Sequence, residues 1–358
     1  MKIFAISDVH GHFYAMKSAL DAAGFDSEDP DHLLICCGDC FDRGCENRKV
    51  LEYLSSLKRK ILIRGNHEDI LARILDRRYI EQVDIYNGAD LTVSEFFGEE
   101  NIDRHGRIDM SRNTDTVAML RDFIGSMYDF YETDRHIFTH AWLPIVQSYS
   151  GPILFPDKEH APNGLWKESR YNEWFSALEA GLTVEGKTVV CGHRASYNAY
   201  RIDESRDPED RSMYVADGVA AIDSSTVRTG KVNVYVTEDG IPVAKEHSMS
   251  LMRKYFERMR DGKKTVEIRL FDEKRKSFSI GDKIVFSCAD AQDQRLVRRI
   301  VGMHAYDSLE QLARDFSCEE LGLSLSEIED IGGIMAKIYS AADIDRHGFL
   351  AVRLSNII

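Results

Sequence analysis

The chain has 358 residues, and its 46 Lys and Arg against 60 Asp and Glu give a formal charge of −14. A chain of this length usually divides into two domains, and a hydrophobic fraction of 43% is that of an ordinary water-soluble protein. No stretch approaches the roughly 18 apolar residues of a membrane span, and the N-terminal apolar run is too short for a secretion signal. The seven cysteines lack regular spacing, so we expect reduced thiols and a cytoplasmic protein without a membrane partner.

The first part of the chain alternates short apolar runs with helical patterns. Strands are predicted at 3–7, 32–37 and 61–64, with helices at 14–20 and 49–57. A mostly helical region is expected at 69–130, and the following strands are predicted at 135–139, 188–191, 213–215, 220–222 and 231–236. Polar residues stand just after several of these strands. This order predicts an α/β fold with a site beyond the carboxyl ends of its strands.

Five short polar motifs follow predicted strands, at residues 8–11, 38–44, 65–68, 139–141 and 191–194. Together they supply two carboxylates, one amide and three imidazoles. Such a set is large enough to hold two divalent cations, and paired cations support displacement at phosphorus. Any one of these motifs could occur by chance, but five in order predict a binuclear phosphoesterase site.

Each predicted ligand has a definite place in this arrangement. Asp8 and His10 are two residues apart on an extended segment, so their side chains point to one side and can hold the same ion. Asp39 stands at the tip of the second strand and is the natural bridge between two ions. Three residues from other strand ends complete the second ion: Asn66, His140 and His193. This mixture of oxygen and nitrogen ligands suits manganese, with iron or zinc as alternatives, better than calcium.

Four further motif residues suit the remaining catalytic tasks. Arg43 and Arg64 are cationic forks next to the ligands, and each could bind a phosphate in bidentate fashion. His67 directly follows a ligand and could protonate the leaving oxygen as a general acid. Asp42 could accept the other N–H of that imidazole and fix its tautomer.

The order Asp-x-His, Gly-Asp-x-x-Asp-Arg-Gly, Arg-Gly-Asn-His-Glu, His-Ala and Gly-His resembles the calcineurin-like metallophosphoesterases over about residues 1–240. More narrowly, it is similar to their phosphoprotein-phosphatase branch, which includes bacterial and phage serine/threonine phosphatases and symmetrical diadenosine tetraphosphatases. The resemblance implies a four-layer α/β/β/α sandwich, two metals on the six ligands, and an acid dyad of His67 with Asp42. Family members often carry Trp-x-Arg before the last histidine motif. Here Trp166 is followed by Lys167, so a phosphate contact by Lys167 or Arg170 stays open.

The C-terminal part of the chain is locally basic, with 14 Lys and Arg against 8 Asp and Glu in residues 253–299. A helix is predicted at 249–260 and an alternating strand at 263–270. Further strands are expected at 283–286, 297–301 and 349–354, and further helices at 308–316 and 324–338. We place the domain boundary so that residues 1–246 and 247–358 form separate domains.

The pattern Gly262-x-Lys264-x-x-Glu267-x-Arg269, followed by Gly281-Asp282, resembles the ASCH domain, a small β-barrel related to PUA domains. The resemblance implies a polar cleft in which Lys264, Glu267 and Arg269 face a nucleotide or RNA. Glu267 and Arg269 are two apart on a strand, so they could read a base edge and a phosphate together. The alternative is a solvated strand whose Glu–Arg pair contributes little.

The sequence therefore predicts a two-metal phosphatase that hydrolyses a phosphomonoester or a phosphoanhydride. Its substrate could be a phosphoprotein, as in serine/threonine phosphatases, or a nucleotide, a dinucleoside polyphosphate or an RNA end. The C-terminal domain is expected to bind RNA or a nucleotide. A third possibility is a non-catalytic RNA-binding protein that retains a relic phosphatase fold, although the complete ligand set argues against it.

Overall fold

The computed structural model describes residues 1–355 of the chain. The strands are β1 (Lys2–Ile6), β2 (His32–Cys36), β3 (Lys60–Leu62), β4 (Phe130–Glu132), β5 (His136–Thr139), β6 (Ile145–Ser148), β7 (Gly151–Leu154), β8 (Thr188–Cys191), β9 (Tyr214–Ala216), β10 (Val219–Ala221), β11 (Tyr235–Glu238), β12 (Glu246–Leu251), β13 (Val266–Leu270), β14 (Lys283–Cys288), β15 (Ala291–Tyr306) and β16 (Phe349–Ser355). The α-helices are α1 (Phe13–Ala22), α2 (Asn47–Ser56), α3 (Asn66–Arg77), α4 (Gln82–Tyr86), α5 (Ala89–Phe97), α6 (Thr114–Gly125), α7 (Asn163–Ser169), α8 (Trp174–Glu179), α9 (Thr226–Thr229), α10 (Arg253–Arg260), α11 (Leu309–Asp315), α12 (Cys318–Leu321), α13 (Leu325–Glu329), α14 (Ile331–Ala336) and α15 (Ala341–His347). Among these residues we find no helix whose length and apolar character would let it span a bilayer.

The chain forms two compact units. The first contains Met1–Leu154 and Lys167–Pro242, and the second contains Phe155–Trp166 together with the chain from Val243 onward. The second unit therefore includes a short segment that lies far from the rest of it in sequence. That segment is hydrogen-bonded to the rest of the second unit: the backbone N–H of Ile280 donates to the carboxylate of Glu159 at 3.1 Å.

The first unit is built on two sheets. One has the strand order β11–β1–β2–β3 and the other the order β4–β5–β8–β10–β9. Strands β1, β2 and β3 run parallel, and so do β5, β8 and β10. The carboxyl ends of each parallel set therefore lie along one edge of its sheet, and the segments that follow them carry the predicted site residues.

Both faces of the first sheet are covered. Phe4 and Ile6 of β1 belong to a core cluster that also contains apolar residues of helices α1, α2, α3, α5 and α6. Ile3 and Ala5, which alternate with them and point to the opposite face, are also fully buried. A strand buried on both faces lies inside a layered fold, with helices on one side and other structure on the other. The predicted α/β/β/α architecture is confirmed.

Most elements of the first unit lie where the sequence predicts them, but the last strand does not. Residues 231–236 are expected to form a strand, whereas β11 begins only at Tyr235 and continues to Glu238. Its limits follow from antiparallel pairing with β1, in which Glu238 lies opposite Lys2 and Tyr235 opposite Ala5. A pairing across more than 200 residues leaves no trace in local hydrophobic periodicity.

The second unit contains a five-stranded sheet with the order β12–β14–β15–β16–β13. One core cluster includes Phe286 and Met303, and another includes Ile268 and Phe349, so apolar side chains pack on both faces. The predicted small β-domain is confirmed. In the described part of the chain the hydrogen-bonded order is open, with β12 and β13 as its edges.

The prediction of one helix over 249–260 is partly wrong. Met249 and Leu251 belong to β12, which pairs in parallel with β14, and only Arg253–Arg260 form helix α10. Both side chains are buried and separated by an exposed Ser250, which is the two-residue period of a strand. The same spacing of apolar residues also fits part of a helical turn, so periodicity alone did not distinguish the two.

Candidate metal centre

The candidate site consists of short loops whose backbone is unusual. Among residues 1–355, eight non-glycine residues have positive φ, and six of them are predicted site residues: Asp8, His10, Asp39, Asp42, Arg43 and His193. Their φ angles lie between 48° and 72°. This conformation costs free energy for residues with a Cβ and persists only where the surrounding structure enforces it. The clustering of strain at these loops is typical of a functional site.

Asp39 lies at the centre of the predicted ligands. Its Oδ2 is 3.8 Å from Nε2 of His10, and its Oδ1 is 3.4 Å from Nε2 of His140. Two groups of candidate metal ligands share this carboxylate, one with His10 and His67 and the other with His140 and His193. Within each group the ligand atoms lie within 4.8 Å of one another. The two oxygens of Asp39 therefore face different groups, as a bridging carboxylate requires.

Two imidazoles are oriented by backbone carbonyls. Nδ1 of His10 lies 3.0 Å from the carbonyl oxygen of Phe41, and Nδ1 of His140 lies 2.8 Å from that of Cys37. When Nδ1 donates to a carbonyl, Nε2 carries the lone pair that can bind a metal. Nε2 of His140 is also 2.9 Å from Oδ1 of Asn66, which places the predicted amide ligand next to it.

His193 and Asp8 complete the ligand set. The backbone N–H of His193 donates to Oδ2 of Asp8 at 2.9 Å, and the hydroxyl of Ser7 donates to the same oxygen. Oδ1 of Asp8 then faces Nε2 of His10 at 3.9 Å. Nε2 of His193 is buried and has no hydrogen-bond partner in the part of the chain that the structure describes. Because a buried polar atom rarely stays unpaired, this nitrogen fits a role as metal ligand.

The electrostatics of the site also fit cations. Burial, followed by repulsion from neighbouring carboxylates, raises the pKa of Asp8 and of Asp39 well above the ordinary range. Burial lowers the pKa of His10, and it lowers the pKa of His140 to about 3 and that of His193 to about 2. The imidazoles are thus neutral, as metal ligands must be, while the carboxylates are crowded and poorly solvated. A bound cation would relieve that repulsion.

Glu68 holds two of the loops together, a role that the sequence did not predict although this residue is in the motif at 65–68. Its carboxylate accepts hydrogen bonds from the backbone N–H groups of Asp39, Cys40 and Gly65 at 2.8–3.0 Å. The backbone N–H of His67 donates to Oδ1 of Asp39 at 3.0 Å. The position of the bridging carboxylate is therefore set from both loops.

The predicted acid and its partner lie together. Nδ1 of His67 is 2.7 Å from Oδ2 of Asp42, and the hydroxyl of Thr92 donates to Oδ1 of the same carboxylate at 2.6 Å. The guanidinium of Arg43 lies next to Nε2 of His67, on the side of the ring away from Asp42. Its two terminal nitrogens are 3.1 Å from Nε2 of His67 and 3.2 Å from Nε2 of His10. His67 also belongs to one of the two groups of candidate ligands around Asp39, so its position is compatible with acid catalysis and with metal binding.

Arg64 and Arg170 form a separate ion-pair cluster. Nε of Arg64 is 2.7 Å from Oδ1 of Asp69, and Nη1 of Arg170 is 2.6 Å from Oδ2 of the same residue. Arg170 also donates through Nη2 to Asp129 at 2.5 Å and through Nε to the carbonyl oxygen of Arg64 at 3.1 Å. Every guanidinium nitrogen of Arg170 already contacts an acceptor, and the residue is only 2% exposed. The contacts point to Arg170 as a residue that positions Arg64.

A cavity of about 390 Å³ lies next to the candidate metal ligands. His10, Arg43 and His193 form part of its wall, and so do residues that the sequence did not select, among them Arg194, Arg228 and Asp223. Asp223 follows β10, and its carboxylate accepts the backbone N–H of Ser225 at 2.7 Å. Burial raises the pKa of Asp223 to about 6. Asp223 therefore stabilises the turn after β10 and also forms part of the cavity wall.

The predicted residues of the C-terminal domain are also brought together, within the second unit. Nζ of Lys264 is 3.2 Å from Oε2 of Glu267, and Nε of Arg269 is 2.8 Å from Oε1. Lys264 and Glu267 are 4% and 5% exposed. Glu267 is thus buried and Arg269 is half-buried, whereas the alternative expected both members of the Glu–Arg pair to be solvated.

Comparison with known proteins assigns a family to each of two regions of the chain. Residues 1–218 match the family model of the calcineurin-like phosphoesterases, and residues 249–354 match that of the ASCH domain. The first match covers more than half of the chain.

Curated relatives share only a short segment with this chain. A symmetrical bis(5′-nucleosyl)-tetraphosphatase of Buchnera aphidicola (subspecies Schizaphis graminum) is 39% identical over 69 residues, which are 19% of this chain and 24% of the relative. A protein of the same name from Wigglesworthia glossinidia brevipalpis is 32% identical over 99 residues, which are 26% of this chain and 36% of the relative. The chain thus spans between 24% and 36% of the length of these relatives.

Solved structures include a protein serine/threonine phosphatase of Saccharomyces cerevisiae, which is 14% identical. The likeness covers 68% of this chain and 80% of that protein with a TM-score of 0.35, so it carries no argument about substrate. The family is established by the match over residues 1–218 and is consistent with the ligand geometry around Asp39. This chain belongs to the calcineurin-like phosphoesterase family, whose members use divalent metals, and it also carries an ASCH domain.

Proposed function

We propose that the first unit is a phosphatase that hydrolyses a phosphomonoester or a phosphoanhydride with two bound divalent cations. The observation that carries this proposal is the position of Asp39, whose two oxygens face two separate groups of imidazoles. The proposed ligands are Asp8, His10, Asp39, Asn66, His140 and His193. Two cations bound there would neutralise charge on the phosphoryl oxygens and lower the pKa of a water molecule. Manganese is the first candidate, with iron or zinc as alternatives.

The side chains around the ligands would divide the remaining work. Arg43 is placed between His10 and His67, so its fork can donate to the oxygens of a phosphate at the ligands. His67 would protonate the leaving oxygen from Nε2, while Asp42 holds its Nδ1–H and stabilises the imidazolium. Arg64 is held by Asp69 at the end of β3 and would add positive charge from that side.

The ligand chemistry argues against the relic fold. A protein that had lost catalysis would have no reason to keep six proposed ligands, five of them buried, together with strained loops and a buried acid–carboxylate dyad, all of which cost stability. We therefore keep the non-catalytic alternative only as an outcome of the experiments below.

A specific observation favours a nucleotide polyphosphate as substrate over a phosphoprotein. Two exposed arginines, Arg194 and Arg228, line the same cavity as Arg43. Cationic side chains there can bind the further phosphate groups of a polyphosphate, in addition to the one that is cleaved. A peptide with a single phosphate group has no further phosphates for them to bind. Tyr197 also lines the cavity, but Arg211 lies over its ring at 3.9 Å, so it offers a hydroxyl more readily than a stacking face. The bis(5′-nucleosyl)-tetraphosphatases that share a segment with this chain are named for the same class of substrate.

For the second unit we propose that the ASCH domain binds a nucleotide or RNA. The support is the ion-paired cluster of buried Lys264 and Glu267 with half-buried Arg269, which lines a cavity. Buried charges are retained where they recognise a ligand or orient each other.

Replacing the bridging carboxylate tests the metal centre. Asp39→Asn should reduce bound metal from about two ions per chain to nearly none, because both groups lose their shared ligand. Asn66→Ala should remove mainly the second ion, since Asn66 lies beside His140 alone. Metal content is measured by plasma mass spectrometry after loading with manganese. His105→Ala, at an exposed position, is the control. Full retention of metal by Asp39→Asn would contradict the bridge.

Replacing the proposed acid tests its role. His67→Ala should lower kcat by roughly 10²–10⁴ while metal content stays the same. The loss should be smaller for an aryl phosphate with a strongly acidic phenol, which leaves without protonation, than for an alkyl phosphate. Steady-state kinetics on the two substrates measure the difference, with His105→Ala as control. An equal loss for both substrates accompanied by loss of one ion would instead identify His67 as a ligand.

The cationic cavity wall is tested by comparing substrates. Arg194→Ala should raise KM for a dinucleoside tetraphosphate about tenfold, the effect of losing one charge-assisted hydrogen bond, and leave an aryl phosphate unchanged. Arg112→Ala, at another exposed arginine that does not line this cavity, should change neither value. Equal effects on both substrates, or faster turnover of a phosphopeptide by the unmodified protein, would refute the nucleotide assignment.

A further inference from the structure

The two edge strands of the second unit are linked by side chains. Nη2 of Arg269, on β13, donates to the carbonyl oxygen of Ser250 on β12 at 2.8 Å. Lys274 follows β13, and its Nζ lies 3.3 Å from the carbonyl oxygen of Ser248, which is on β12. These contacts connect β12 to β13 and the residues after it, although the backbones of the two strands are not hydrogen-bonded to each other within residues 1–355.

Two cavities lie beside these contacts, and both are lined by Ser250 and Arg269.

The first cavity is apolar and has a volume of about 330 Å³. Its apolar walls include Leu251, Leu323, Ile334, Met335 and Ile338. This volume is at the lower end of the range of roughly 300–1,000 Å³ for small-molecule sites. The cavity therefore suits one planar ring system with little room for a second, and it cannot hold a folded nucleic acid.

Among the polar side chains that line this cavity, Glu267 supplies a carboxylate, and Tyr255, Lys337 and Tyr339 also lie in the wall. Nζ of Lys264 donates to the carbonyl oxygens of Val266 at 2.6 Å and Leu321 at 2.9 Å and contacts Glu267 at 3.2 Å. An ammonium group has three donors, so Lys264 has none left for a ligand. Its role is to neutralise and position Glu267, which revises the prediction that Lys264 faces the ligand.

Glu267 itself can still accept hydrogen bonds. Oε2 contacts Lys264, and Oε1 lies 2.8 Å from Nε of Arg269 in an ion pair that is not aligned as a hydrogen bond. Each carboxylate oxygen accepts about two hydrogen bonds, so each keeps at least one acceptor site. Two adjacent acceptors match two adjacent N–H donors in the manner of a bidentate pair. Among the four common RNA bases, guanine presents two such donors, at N1 and N2.

The second cavity has the opposite character. It has a volume of about 300 Å³, and serine hydroxyls and cations line it, including Ser248, Ser287, Lys274 and Arg275. Lys274 is exposed and has donors beyond the one directed at Ser248. Nε of Arg275 is buried and lacks a hydrogen-bond partner within residues 1–355. A cluster of cations and hydroxyls with unused donors suits a phosphate.

We propose that this pair of cavities binds a guanosine nucleotide, with the base against Glu267 in the apolar cavity and the phosphate at Lys274 and Arg275. Arg269 lines both cavities and can join the two halves of the site. The proposal rests on the nucleotide-binding role proposed for the second unit and is independent of metal-dependent hydrolysis. The nucleotide could be free or could be the 5′-phosphorylated end of an RNA, since both present the same groups.

Calorimetric titration of the full chain in EDTA measures this binding without hydrolysis. GMP should bind about tenfold more tightly than IMP, which lacks the N2 amino group, and about tenfold more tightly than guanosine, which lacks the phosphate. AMP should bind no better than IMP. A short RNA with a 5′-terminal guanosine phosphate distinguishes the sources: tighter binding than GMP identifies an RNA end, and weaker binding identifies the free nucleotide.

Variants separate the two halves of the site. Lys274→Ala, at an exposed position, should reduce GMP affinity about tenfold and leave guanosine affinity unchanged. Lys276→Ala is the matched control, because Lys276 pairs with Glu273 at 2.8 Å and lines neither cavity. Glu267→Gln should abolish the preference for GMP over IMP, with thermal unfolding used to confirm that it folds. Equal binding of GMP and IMP, no binding of GMP, or unchanged GMP affinity in Lys274→Ala would overturn the proposal. Loss of GMP binding in Arg43→Ala alone would assign the ligand to the first unit and would overturn it as well.

Discussion

The structure of the first unit depends on concentrating buried carboxylates and imidazoles around Asp39. Burial and mutual repulsion raise the pKa of Asp8 and Asp39, so this arrangement is unfavourable without compensating positive charge. The protein supplies part of that charge through Arg43, which contacts both His10 and His67. Bound cations would supply the rest of that charge, and the neutral imidazoles are suited to hold them, including Nε2 of His193, which has no hydrogen-bond partner among residues 1–355. The folding free energy of the surrounding structure, including the helices packed on the first sheet, keeps these groups together.

The candidate ligands could be selected from the sequence because each of them follows closely after a strand. A strand end is readable from a short apolar run, and parallel strands bring their ends to one edge, so sequence order becomes spatial proximity. Glu68 and Asp223 could not be assigned in the same way. Glu68 acts through backbone N–H groups of Asp39 and Cys40, which have no side-chain signature. Asp223 lines the cavity only because β10 lies beside β8 in the second sheet.

The limits of prediction in the second unit have a different cause. Residues 249–251 carry apolar side chains at a spacing that a strand and a helix share, and the parallel partner β14 lies about 35 residues away, so tertiary pairing decided the outcome. The cluster Lys264, Glu267 and Arg269 was found because its residues are close in sequence. The separate role of each residue could not be predicted. Lys264 donates one of its hydrogen bonds to the carbonyl oxygen of Leu321, which lies on a helix more than 50 residues further along the chain. Sequence proximity identifies members of a site more readily than their individual tasks.

Close approach of backbones explains why the first unit's motifs are so short and so rich in glycine. A Cβ on Gly65 would collide with Oδ1 and the backbone nitrogen of Asp39, and a Cβ on Gly192 would collide with Ser7 and Asp8. The loops that carry ligands must therefore touch one another directly, without side chains between them. This contact lets Glu68 reach amides of two loops and lets the backbone of His193 bind Asp8. The glycines that make the motifs recognisable in sequence thus also let the candidate ligands approach one another closely. Replacing Gly65 or Gly192 by a residue with a side chain would force these loops apart.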